Sequence, residues 1–196
     1  APQAELYGRS IYWPRGKMLG GSSSMNAQIY IRGHRLDYDG WAALGNEGWG
    51  YDDVLPFFKR SEDNSRGASR DHGVGGPLSV SDVRTPNPIV AAILDAAVAA
   101  GIPRATDLND GAPNGVAFNQ VTQRRGLRAS AAAAFLRPVM RRKNLTVITG
   151  ALSTRVLLES GRAVGVEYLD PRGKLLTIRA EREVVLAGGA INSPQL

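Results

Sequence analysis

The residues best placed to do chemistry sit in one run. Gly20-Gly21 is followed by Ser22, Ser23 and Ser24, then by Met25 and Asn26. Two adjacent glycines remove side chains, so a ligand can approach the backbone closely. Serine hydroxyls add hydrogen-bond donors, and the Asn26 amide can both donate and accept. A helix starting between Ser22 and Asn26 would aim free N–H groups at a phosphate or at the edge of a planar ring. Arg15 and Lys17 add positive charge nearby. The run is not a nucleotide-triphosphate loop of the Walker type. There the Gly-Lys pair follows the glycine-rich stretch, whereas Gly16-Lys17 precedes it. Read alone, the same residues also suit an ordinary Gly/Ser loop with a serine cap, with Met18 and Ile29 as plain apolar packing.

Other reactive chemistry is scarce. The 196 residues contain no cysteine, which excludes disulfides and thiolate ligands. Two histidines, His34 and His72, argue against a multi-histidine metal site. Both read as solvated or helix-capping residues. Hydrophobic residues make up 43% and charged residues 21%, as in a soluble globular chain. No segment approaches the roughly 20 apolar residues that span a bilayer. Ala1-Pro2-Gln3 opens no secretory signal. The net charge of +6 favours anionic partners without choosing among them. The cluster Arg137, Arg141, Arg142, Lys143 supports one alternative, a non-catalytic anion- or nucleic-acid-binding domain, but no aromatic stacking platform accompanies it.

Several elements must position these groups. Asp37 to Leu44 suits a short helix, and Asp52 can cap a second one running to about Arg60. Residues 63–77 are polar and Gly-rich and read as a mobile surface loop. Leu78 to Ser81 alternates as a strand does. Asn87 to Ala100 reads as a helix, with Pro88 in its first turn and Gly101 as its stop. Ser130 to Lys143 reads as a helix that Pro138 kinks or breaks. Four strand-like runs follow: Leu145 to Thr149, Ser153 to Glu159, Ala163 to Leu169 and Leu175 to Ala180. Their short turns imply an antiparallel meander. Val184-Val185-Leu186 is a continuous apolar run, expected as a strand buried on both faces of a parallel sheet. Ala187-Gly188-Gly189 and a helix start near Asn192 then complete the geometry of a dinucleotide site.

The wider spacing carries a resemblance. Gly16-Lys17, Leu19-Gly20-Gly21-Ser22-Ser23, Met25-Asn26, Tyr30, Gly33 and Asp39 resemble the first signature of the glucose–methanol–choline (GMC) flavoenzymes. Gly45 to Phe58, Gly126-Leu127-Arg128-Ala129-Ser130 and Asn144 to Val147 also look like that family. So does Gly189-Ala190-Ile191-Asn192-Ser193-Pro194, the opening of its second signature. The resemblance covers nearly the whole chain, and the choline-dehydrogenase-like members look nearest.

This resemblance implies an α/β fold. It would be a partial FAD-binding domain of Rossmann type with an antiparallel β-meander and part of a substrate-side cap. Residues 1–62 would form the flavin-pocket segment and 63–125 the substrate-side insertion. Residues 126–196 would supply the helix, meander and return strand. Met18, Ser22, Asn26, Ala27, Gln28 and Ile29 would line the FAD, with the Gly20-Gly21 backbone close to it. Val156 would meet the adenine part, and Ala187 and Gly188 the adenosine end. Some members carry histidine where Met25 stands and tether the flavin through it; a thioether implies non-covalent FAD. The implied reaction is oxidation of the CH–OH group of a primary or secondary alcohol, with oxygen, a quinone or another electron acceptor as partner. No nucleic acid and no integral membrane segment are expected, and the expected compartment is the cytoplasm. No G-x-G-x-x-G run occurs. The family's catalytic histidine, paired with a second histidine or an asparagine, is expected downstream of Leu196, so no residue from 1 to 196 is assigned a catalytic role. The chain therefore reads as an inactive internal piece. A different flavin or nicotinamide oxidoreductase with a similar loop is a further alternative.

Overall fold

The computed structural model describes residues 4–196, so the reading of Ala1-Pro2-Gln3 lies outside the described residues. The fold divides into two units, one up to Arg142 and one from Lys143.

The first unit opens with a 3-10 turn, Ala4–Leu6, followed by a second 3-10 turn, Gly21–Ser24, and a short strand β1, Ile29–Tyr30. Helix α1 spans Arg35–Ala43, and His34 caps it. The His34 Nδ1 accepts the Leu36 N–H, while the Asp37 carboxylate accepts the His34 N–H. This is the capping role expected of His34. Helix α2, Tyr51–Ser61, starts earlier than expected, with Gly50 rather than Asp52 at its cap. Asp53 reaches back to the Gly50 N–H, which frees Asp52 for a bidentate pair with Arg35 at 2.9 Å.

The stretch 63–77 is not the mobile surface loop its composition suggested. It begins in β2, Glu62–Asn64, which pairs in parallel with β3, Leu78–Val80. The Lys59 ammonium clamps the carbonyls of Ser69 and Arg70 at 2.8 Å each. At Gly73 a Cβ would lie 1.9 Å from the Lys59 carbonyl oxygen, so this glycine lets the loop lie directly on the end of α2. Composition registered the absent side chains but not the close approach they permit.

Helix α3, Pro88–Ala99, stands where the spacing predicts a helix, and the Asn87 side chain caps it. Strand β4, Gln120–Val121, pairs antiparallel with β1, and Val121 also exchanges both backbone bonds with Ser81. A small hairpin follows, β5 (Gln123–Arg124) and β6 (Leu127–Arg128), turning through Arg125-Gly126 with φ 53° and 80°. The expected helix from Ser130 is shorter and irregular. The Ala133 N–H donates to the Ser130 Oγ at 3.2 Å at the start of a π-turn, Ala132–Leu136, which passes into a single 3-10 turn, Arg137–Val139. Pro138 has no N–H for a longer ladder and ends it.

The second unit is the meander. Strands β7 (Leu152–Glu159), β8 (Arg162–Leu169) and β9 (Leu175–Arg179) form one antiparallel sheet. Ser160 and Gly161 turn β7 into β8 with φ 50° and 78°, the backbone that a two-residue hairpin turn demands. Leu145 to Thr149 is not a strand. Nor is Val184 to Leu186, the expected buried parallel strand: it is irregular, and Val185 is 76% exposed. A strand exists by virtue of its neighbours, and among the described residues none pairs with this run. Helix α4, Gly189–Gln195, follows. Leu196 is its C-cap, half-buried, and its N–H donates to the Asn192 carbonyl at 3.1 Å.

Two glycines give opposite expectations for the same substitution. Gly73→Ala should cost about 3 kcal/mol, because backbone must move to admit the methyl group. Gly40, inside α1 with nothing within 4 Å of its Cβ position, should gain about 1 kcal/mol on becoming alanine. Urea unfolding of both variants checks the signs.

Candidate cofactor site

The Gly/Ser run is held in shape by its own polar groups. The Gly16 N–H donates to the Ser22 Oγ at 3.2 Å, and a Cβ on Gly16 would lie 2.3 Å from the Gly21 carbonyl oxygen. Gly20 and Gly21 are both left-handed, with φ 89° and 53°. The space where a Gly21 side chain would stand is open, with nothing within 4 Å. Ser23 donates to the Gly20 carbonyl at 2.5 Å, and Ser24 to that of Leu19 at 2.8 Å. Two of the three serines therefore serve the turn itself. Ser22 is the exception: its oxygen accepts from Gly16 and its hydroxyl hydrogen is left to donate. No helix starts at this point. The four-residue 3-10 turn ends at Ser24, and Asn26 follows it, so the expected helix N-terminus is absent.

A second segment straps this turn from behind. Gln28 donates from Nε2 to the Thr122 carbonyl and accepts at Oε1 from Gln123. Its own carbonyl accepts from the Thr122 N–H at 2.8 Å. Gln28 adopts φ 64°, a strained conformation for a residue with a Cβ. The Ala131 N–H donates to Ser23 Oγ, and the Arg128 guanidinium donates to the Ser23 carbonyl and to the Asn26 Oδ1. The outer face is apolar: Met18 is 57% and Ile29 50% exposed, with Met25 and Ala27 exposed between them. An open backbone at Gly21 bordered by uncovered methionine and isoleucine fits one face of a planar, largely apolar cofactor.

Eight of the candidate residues thus lie in the first unit: Met18, Gly20, Gly21, Ser22, Asn26, Ala27, Gln28 and Ile29. Val156, Ala187 and Gly188 belong to the second. Val156 pairs with Val166 in β7, whose outer edge carries no strand among the described residues. Ala187 and Gly188 are exposed, and the Gly188 N–H donates to Ser193 Oγ at 2.9 Å. Leu196, the boundary beyond which the catalytic histidine is expected, is an aliphatic helix cap with no acid–base chemistry of its own.

Sequence reasoning missed the most heavily buried polar cluster. His72 is not solvated. It is buried, with Nδ1 3.0 Å from Glu62 Oε1 and Nε2 2.6 Å from Asp107 Oδ2. Glu62 is 0% exposed and also receives Arg32 at 2.8 Å and the Gly73 N–H at 2.7 Å. Asn64 and Gln120 pair their amides beside it, and Asn109 accepts the Arg32 N–H. The hydrogen bond to Glu62 raises the His72 pKa above its ordinary value, against burial and with help from Asp107. Burial by itself pushes Glu62 up. The bonds from His72 and Gly73 and the Arg32 charge outweigh it and hold the carboxyl below its usual range. The one sequence signal is weak: a histidine among glycines, remote from both carboxylates it joins.

A basic pocket of about 490 Å³ lies alongside the strap, edged by Arg124, Arg125, Arg128 and Arg137 over Ala129, Ala133 and Ala134. No aromatic side chain lines it. Among the described residues, no helix is long and apolar enough to cross a membrane.

The sequence matches the family described as GMC oxidoreductase over residues 4–196. It is 52% identical over 199 residues to an uncharacterised GMC-type oxidoreductase of Mycobacterium tuberculosis, covering 100% of this chain and 37% of that protein. It is 46% identical to human mitochondrial choline dehydrogenase, covering 99% of this chain and 32% of the enzyme. The structure superposes on an FAD-dependent oxidoreductase from Chaetomium thermophilum with a TM-score of 0.90. The two are 28% identical, and the match covers 100% of this chain and 36% of that one. The chain belongs to the GMC oxidoreductase family, and its fold is part of the α/β FAD-binding domain of that family. It is choline-dehydrogenase-like in sequence and spans about a third of the length of these relatives.

The ion-pair cluster predicts a stability optimum. The raised His72 pKa contributes stability that is complete below about 6.5 and lost as pH rises through the raised value. The lowered Glu62 pKa contributes stability that is present above about 4.5 and lost as pH falls through the lowered value. Melting temperature should therefore peak between these limits. His72→Gln should lower the peak and flatten the alkaline decline. Glu62→Gln should cost about 3–5 kcal/mol, since it leaves the buried Arg32 without its carboxylate and takes from His72 one of its two.

Proposed function

We propose that this chain supplies the flavin-ring wall of an FAD-dependent oxidoreductase acting on the CH–OH group of a primary or secondary alcohol, within a longer parent protein. The observation that carries the reading is the turn at Met18 to Ile29, with its open Gly21 backbone and uncovered apolar rim. Family membership and the names of the relatives support it. Bound FAD would supply the two-electron acceptor that no amino-acid side chain provides. Gly20 and Gly21 would admit it to the backbone. Met18, Ala27 and Ile29 would exclude water from its face, and Ser22 and Asn26 would donate hydrogen bonds to it. Val156, Ala187 and Gly188 are proposed for the adenosine end. Residues 1–62, 63–125 and 126–196 would divide the labour into flavin pocket, substrate side and adenosine side.

Attachment is proposed to be non-covalent, because the Met25 thioether offers no nucleophile comparable to an imidazole. Neither histidine is proposed as the base that takes the hydroxyl proton. His34 Nδ1 is used in capping α1, and His72 is locked between two carboxylates. That base is assigned to the part of the parent that follows Leu196, and this chain alone is proposed to be inactive. The electron acceptor is oxygen, a quinone or another small oxidant.

Two measurements test this reading. The full-length parent should purify with about one FAD per chain, whereas the 196-residue chain should retain little and oxidise no alcohol. Acid precipitation of the loaded parent should release all the flavin to the supernatant; flavin fluorescence on the washed pellet would refute non-covalent binding. A parent that takes up no FAD, yet binds polyanions with a steep salt dependence, would favour the basic-surface reading instead.

A further inference from the structure

Arg128 joins the strap to the cofactor turn at one informative point. Its Nη1 donates to the Ser23 carbonyl at 3.1 Å and to the Asn26 Oδ1 at 2.9 Å. The same Oδ1 accepts the Gln28 N–H at 3.0 Å. An amide oxygen has two lone pairs, and both are now taken. The Asn26 Nδ2 retains two N–H donors with no partner among the described residues, and the side chain is exposed. Turning the amide over would set its NH₂ against a guanidinium and a backbone N–H, donors facing donors with no acceptor between them. The amide therefore has one orientation, with its donor end turned toward any ligand. No carboxylate among the described residues pairs with Arg128, so its charge is free to polarise the amide and strengthen the outward N–H.

We infer that Arg128 is a positioning residue. It fixes Asn26 so that the amide offers a hydrogen-bond donor, and not an acceptor, to the ring of the bound cofactor. This rests on the FAD reading above. The residue selects for a hydrogen-bond acceptor on that ring and favours negative charge there.

The test uses the full-length parent stripped of flavin and titrated with FAD, read by flavin absorbance. Arg128→Met should weaken FAD binding about tenfold and shift the bound spectrum toward that of free flavin. Arg128→Lys keeps a charge and several donors and should restore most of both. Asn26→Asp preserves the acceptor that Arg128 and Gln28 need but has no donor, so it should bind FAD at least tenfold more weakly while melting as the wild type does. Arg128→Met combined with Asn26→Ala should lose no more than Asn26→Ala alone, within about twofold. Additive losses, or an Asn26→Asp parent that binds FAD normally, overturn the inference. If Arg128→Met fails to fold, the Lys and Asp variants decide it. A wild-type parent that takes up no FAD overturns the functional reading and this inference together. A wild type that binds FAD, with both variants unaffected, overturns the inference alone.

Discussion

A carboxylate removed entirely from water needs compensating charge and N–H donors, and in the first unit these converge on one oxygen of Glu62, Oε1, while its buried Oε2 has no hydrogen-bond partner among the described residues. Arg32 reaches Oε1 from the residues just beyond β1, Gly73 and His72 from the folded-back loop, and His72 carries the pairing on to Asp107. Separate stretches of chain are thereby fixed to one group. The arrangement is directional, as apolar packing is not, because each bond fixes an angle as well as a distance. Apolar burial in this unit is modest by comparison: Tyr51 and Val80 are the large side chains of that kind removed fully from solvent.

The Gly/Ser turn is linked to this centre along the chain. Strand β1 lies in the chain between the turn and Arg32, so one end of the turn leads toward the ionic core. The back of the turn is tied to the segment 122–131 through Gln28, Ser23 and Asn26. Strain is tolerated where these connections meet, at the left-handed Gln28. The hairpin tip at Arg125 carries a similar conformational cost at the rim of the basic pocket.

What could be read from the residues followed from local physics. The helix that Gly101 stops and the last three of the four expected strand-like runs depend on neighbours in sequence, and each stands close to where its pattern placed it. The Gly/Ser run was legible as a backbone-exposing turn, because two glycines in succession have few other uses. What was not legible depends on partners distant in sequence. His72 looked like a loop histidine because nothing near it announces Glu62 or Asp107. Val184 to Leu186 looked like a buried strand because apolar runs state a preference for cover without supplying it. Arg128, one arginine among several in its stretch, gains meaning only from its reach of about a hundred residues back to Asn26.

The meander has a property that concerns solubility more than binding. Its outer strands β7 and β9 end the sheet, so each leaves one row of backbone N–H and C=O groups with no ladder partner within the unit. Leu152, Leu158, Leu175 and Ile178 stand exposed on the same small sheet. An open edge beside exposed leucines is a template onto which a strand of another molecule can add. The charged pairs Arg155–Glu167 and Glu159–Arg179 put ions among these exposed leucines on the same sheet, as gatekeeper charges do beside apolar strands. Colloidal behaviour in concentrated solution should then depend on ionic strength, since salt screens these guards and leaves the edge unchanged.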